Sequence, residues 1–102
     1  MKPLFQLSTR KYDEEKILVQ NAMEDLEKKC KVKNGFEIKP ASSKAGWAFF
    51  DLELSTEMLS VIESSGMMIN AQGFGFSEQL KNFIGHFLES KGSEVRIKNT
   101  DY

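Results

Sequence analysis

The sequence predicts an α+β domain, a mainly antiparallel sheet with helices packed on one face and elements in the order β-α-β-β-α-β-α-β. Three observations predict it. Ala48, Phe50, Leu52 and Leu54 recur at every second position, the period of a strand with one face buried. Val19, Ala22, Met23, Leu26 and Cys30 recur at spacings of three and four, which puts them on one stripe of a helix, and Leu80, Phe83, Ile84, Phe87 and Leu88 do the same. Punctuation at Asn34-Gly35, Gly66 and Gly92 separates these runs into short elements.

The first element is an extended apolar run over 4–9, followed by the polar Arg10-Lys11-Tyr12. A helix over 13–30 follows, with Asp13, Glu14 and Glu15 at the positive end of its dipole and Lys28, Lys29 and Lys31 at the negative end. Phe36 and Ile38 alternate with charged neighbours up to Pro40, so this segment reads as a strand. Residues 40–46 read as a polar connector, which makes 36–54 a hairpin with a loose tip. Ser55 or Thr56 caps a helix of about three turns, with Met58, Val61 and Ile62 inward and Gly66 as a left-handed terminator. Alternation over 67–76 reads as a strand, Ser77 as the cap of the last helix, and Val95 with Ile97 as a closing strand before a frayed tail at 99–102. Part of this order, β-α-β-β-α-β, resembles the split βαβ arrangement of ferredoxin-like folds, with a helix and a strand appended.

The whole chain, 1–102, reads as one domain, since 102 residues with 40% apolar and 28% charged side chains suffice for one core. No apolar run exceeds the four residues of Trp47-Ala48-Phe49-Phe50, against about 20 for a bilayer-spanning helix. The expectation is therefore a protein that does not engage a membrane. A single cysteine, the absence of an Asn-x-Ser/Thr sequon and the lack of an export-type leader point to the cytoplasm. A net charge of −1 argues against a domain that packages nucleic acid through phosphate contacts alone.

Catalytic equipment is sparse. The only thiol, Cys30, and the only imidazole, His86, fall on different helices, and four Cys or His ligands for a structural zinc do not exist. Asp51 and Glu53 share one strand face, which would suit a small metal-dependent enzyme, but a hard cation normally needs further oxygen ligands. The expectation is thus no enzyme, no catalytic residues, no cofactor and no metal.

Binding features are more numerous. If Ala48, Phe50, Leu52 and Leu54 face the helices, then Trp47, Phe49, Asp51 and Glu53 share the opposite face. Aromatic anchors beside acids suit docking on a protein with a basic surface. Residues 28–44 carry Lys28, Lys29, Lys31, Lys33, Lys39 and Lys44 against Glu37, a net +5, whereas 45–63 carry four acids and no base. Lys28, Lys29, Lys31, Lys33 and Lys44 form a second contact in this reading, and the opposed charges also suit self-association. The sequence therefore points to a small accessory or regulatory protein, of the inhibitor or immunity-factor kind, that docks on another macromolecule. An alternative is a single-stranded nucleic-acid-binding module. Gly73-Phe74-Gly75-Phe76 is similar to the core of the RNP1 strand of RNA-recognition motifs, which would make Phe74 and Phe76 stacking residues beside the lysine patch. Gln72 stands where that motif has a basic residue, and Ser77-Glu78-Gln79 replaces its strand continuation.

Overall fold

A computed structural model describes residues 4–39, 42–69 and 71–99. Its elements are β1 (Leu4–Thr9), α1 (Tyr12–Cys30), β2 (Phe36–Ile38), β3 (Ser42–Lys44), β4 (Trp47–Leu54), α2 (Thr56–Ser64), α3 (Phe76–Ser90) and β5 (Arg96–Asn99). The main sheet has the order β2-β4-β1-β5, with β3 pairing on β4, and every pairing is antiparallel. Since β4 lies between β1 and β2, β1-α1-β2 is a split βαβ unit, as the element order suggested.

Pairing and burial together place the helices. The register joins Phe5 to Leu52, Leu7 to Phe50 and to Ile97, and Phe36 to Leu54, so these side chains share one face. Phe5, Leu7, Phe50, Leu52 and Leu54 form one cluster with Val19, Ala22, Met23, Leu26 and Cys30 of α1, Met58 and Ile62 of α2, and Leu80, Ile84 and Leu88 of α3. The α1 and α3 stripes are the ones the sequence predicts. All three helices thus lie on one side of the sheet, and the alternate residues of β1 and β4 stay half-exposed on the other.

Two buried or half-buried carboxylates tie connections to α1. Glu15, 3% exposed, accepts hydrogen bonds from Ser93 Oγ (2.7 Å) and from the Glu94 N–H (3.0 Å), which anchors the turn between α3 and β5. Glu15 occupies the position four before Val19 on the apolar stripe, so it faces inward rather than serving the dipole from solvent. Glu27 Oε2 accepts from the Gly35 N–H at 2.7 Å and holds the chain entering β2.

The local signals at helix ends are met in part. Ser55 Oγ accepts from the Met58 N–H at 3.0 Å, an N-cap, and Gly66 has φ +80°. The end of α1 is set by Lys31 in the left-handed region (φ 57°), not by Asn34-Gly35. Gly35 is required for space, because a Cβ there would sit 2.5 Å from Met58 Sδ.

Four expectations are corrected. Residues 67–69 and 71–75 are not a strand but turns and bends, with Ile69 N–H donating to the Gly66 carbonyl and Ala71 N–H to that of Met68, and Phe76 opens α3. Gly73 (φ 145°) and Gly75 (φ 95°) take positive φ here, and glycine, asparagine and glutamine give the run little to pack on a pleated surface. The last helix is capped at Gly75, not Ser77, and Ser77 lies inside it. The connector holds a strand, β3, joined to β4 by Ala45 (φ 53°) and Gly46 (φ 82°), the two positive-φ positions of a type I′ hairpin turn. Asn99 belongs to β5 rather than to a tail. The observed order is β-α-β-β-β-α-α-β. The expected strand end at Pro40 and the tail at 100–102 lie outside the described residues.

Two outcomes follow for stability. Glu15→Ala leaves a buried hydroxyl and a backbone N–H without their acceptor and is expected to cost about 1–3 kcal/mol in denaturant unfolding. Gly35→Ala overpacks the Met58 contact and is expected to cost a similar ~1–3 kcal/mol, and that increment is expected to shrink when Gly35→Ala is introduced into a Met58→Ala background.

Candidate docking face

The sheet face away from the helices is where the functional candidates collect. Alternation along β4 presents Trp47, Phe49, Asp51 and Glu53 there, all half-buried, as the period of two requires. The register supplies their neighbours. Ser8 and Ser42 flank Phe49, Gln6 flanks Asp51, and Leu4 and Glu37 flank Glu53. Across β1, Arg96 stands opposite Ser8 and Lys98 opposite Gln6, while Lys44 pairs with Trp47 at the hairpin end.

Trp47 is the centre of the basic half of this face. The Arg10 guanidinium carbon lies 5.0 Å from its ring centroid and that of Arg96 lies 5.1 Å away, both within cation–π range. Arg10 follows the last residue of β1, and Arg96 opens β5, so two strands from opposite ends of the sequence deliver the pair. A surface cleft of about 430 Å³ adjoins the ring, between the hairpin tip and the start of α1, lined by Arg10, Tyr12, Asp13, Glu14, Ser43 and Trp47 among others. Tyr12 meets Phe50 edge to face at 5.3 Å beneath it, which fixes the cleft floor to the core.

The acidic half lies toward the other end of β4. Lys39 Nζ lies 3.8 Å from Glu53 Oε2, and the Lys39 N–H donates to the Asp51 carbonyl. Glu37 stands across from Glu53. Among the described residues, no three Asp, Glu, His or Cys side chains come together as a metal site.

The lysines of the second expected contact do not form one patch with the aromatic face. Lys28 and Lys29 occupy the last turn of α1, with Lys31 and Lys33 just beyond, beside the entrance to β2. Lys44 ends β3 beside the start of β4, whose eight residues span about 23 Å between its ends. Lys29 has its own role, with Nζ 5.4 Å from the Phe87 ring, shared with Lys91 Nζ at 5.6 Å.

Phe74 and Phe76 are corrected as well. They lie off the sheet, on and just after the turns that precede α3, so they cannot form an RNP1-type stacking strand. Phe74 is 97% exposed, and Ile69 in the same loop is 83% exposed. Cys30 is 5% exposed within the core, where burial pushes its thiol up from the usual range, and His86 is exposed on α3. They do not share a surface on which a nucleophile and base could meet.

Arg10 and Arg96 are the residues that sequence reasoning missed. Arg96 alternates with Ile97 in a short strand, but only the nonlocal pairing of β1 with both β4 and β5 brings it to Trp47. Comparison with protein-family models, curated proteins and solved structures finds no match for the chain, so the site is read from its geometry.

Removing the guanidinium groups tests the arrangement around the indole. Arg10→Ala/Arg96→Ala is expected to raise acrylamide quenching of Trp47 fluorescence while changing stability by no more than about 1–2 kcal/mol, since exposed cation–π contacts contribute about 0.5–1 kcal/mol each. Unchanged quenching would show that the arginines do not cover the ring.

Proposed function

We propose that this protein is a non-enzymatic accessory or regulatory domain that docks on another macromolecule through the open face of its sheet. Trp47 and Phe49 are the anchors, and Arg10, Arg96 and Lys44 border them. The observation that carries the proposal is a half-buried tryptophan beside two guanidinium groups on the face opposite the helices, in a fold whose core is already completed on the other side. Trp and Arg are the residue types that concentrate interface energy, and planar side chains lose little entropy on docking.

The charge around Trp47 also changes the partner that the sequence suggested. Asp51 and Glu53 remain suited to a basic surface, but the anchor itself is bordered by cations. The docking partner in this proposal therefore brings anionic groups to the Trp47 end of the face. A role as an inhibitor or immunity-type factor is compatible with a docking surface of this kind, since such factors act by occupying a partner.

Immobilised protein should capture its partner from a lysate of the encoding organism. Capture is expected to fall at least tenfold with Trp47→Ala, shown folded by circular dichroism, and to persist with Phe74→Ser, which lies off the face. Equal capture by Trp47→Ala and the unmodified protein would remove the open face from any docking role.

A further inference from the structure

Resting on that docking reading, we infer that the occupant of the Trp47 end of the sheet is a single-stranded nucleic acid. Trp47 and Phe49 sit at i and i+2 on one strand, about 6.6 Å apart along it, both half-buried on the face opposite the helices. Bases stack on aromatic rings, and on arginine guanidinium planes, with little regard to sequence. Arg10 and Arg96 over the Trp47 ring extend the stacking surface and keep their donors available for phosphate.

The cations are distributed as a backbone track rather than as one spot. Lys44 lies beyond Trp47 at the hairpin end, and Arg96 and Lys98 lie along the far side of β1. Between the rings and this flank stand Ser8 and Gln6, whose hydroxyl and amide can donate to and accept from sugar and base edges. An acidic peptide would satisfy the cations but bring no planar bases to stack with the ring-and-guanidinium cluster at Trp47. A nucleotide strand meets both requirements at once, rings in the centre and phosphates at the rim.

Acids set the length of the footprint. Asp51, Glu53 and Glu37 close one end of the face, and Asp13 and Glu14 line the cleft beside Arg10. Phosphates are repelled there, so binding is confined to a few nucleotides around Trp47 and Phe49. This also reconciles a nucleic-acid surface with a net charge of −1, because the basic end is local and the acids lie elsewhere.

The test is a fluorescence-anisotropy titration of the full chain with fluorescein-labelled ten-nucleotide oligo(dT) and oligo(U), with poly-glutamate as a competitor. Three to four phosphate contacts predict a log–log salt slope of about −2 to −3, or roughly a 20- to 50-fold loss of affinity between 50 and 200 mM salt. Trp47→Ala is expected to weaken binding at least about fivefold, Trp47→Phe to restore part of it, and Asp51→Asn to tighten it. Absence of binding to both oligonucleotides at 20 mM salt overturns the inference. Binding that is indifferent to Trp47→Ala and displaced equally by poly-glutamate overturns it too, since that is charge attraction without stacking. Failure of the docking reading has a different signature. If nuclease-treated lysate still yields a partner whose capture depends on Trp47, docking stands and the nucleic acid falls; if Trp47→Ala affects neither experiment, both fall.

Discussion

The alternation of the central strand β4 is the constraint on which the rest of the molecule depends. Its eight residues send Ala48, Phe50, Leu52 and Leu54 to the helices and the other four to the opposite side, and β1, β2 and β3 take their register from it. A shift of one residue would exchange the two sets and place two carboxylates in the core. All three helices draw on the same buried side chains, so among the described residues no helix packs on the second face. The face proposed for docking is therefore a consequence of how the core is completed. Glu15 and Glu27 add polar fastenings at two connections, where hydrogen bonds hold backbone that apolar packing alone would not orient.

What could be read from the sequence was set by range. The stripes of α1 and α3, the alternation of β4 and the Ser55 cap are local patterns, and each appears in the structure at the residues that carry it. The side of the sheet taken by Trp47 and Phe49 followed from the same local period. The strand expected over 67–76 failed because glycines with positive φ at 66, 73 and 75 favour turns, which outweighs the strand preference of Ile69, Phe74 and Phe76. β3 was not legible because Ser42, Ser43 and Lys44 are all exposed and carry no apolar period. Arg10 and Arg96 lie 86 positions apart, and nothing local marks them as neighbours of one indole.

Charge had to be read in space rather than along the chain. The lysine-rich segment 28–44 looked like one patch, yet its residues divide between the two ends of the sheet. Conversely, Arg10, Lys44, Arg96 and Lys98 come from separate segments and share one face. Part of this has a simpler use. β5 is an edge strand, and charged side chains on edges discourage pairing with other chains. That accounts for Lys98 but not for Arg96 turned onto Trp47, since guarding an edge needs charge facing solvent and no aromatic partner.

The two faces of β4 therefore separate what folds the chain from what the chain presents. Phe50 is 2% exposed and meets Tyr12 beneath the cleft, so its ring belongs to the core that holds the helices to the sheet. Trp47, three positions earlier, is half-buried outside that core and has two guanidinium groups over its ring. Apolar area left in water adds nothing to folding, and exposed cation–π contacts add little, so the largest side chain in the sequence contributes less to stability than its size allows. A rigid strand carrying an aromatic ring that the core does not need is preorganised for a ligand, because the backbone beneath it is ordered before anything binds. The arginines complete this arrangement. In the proposed complex both side chains, exposed beside the ring, join the contact with an anionic, planar partner.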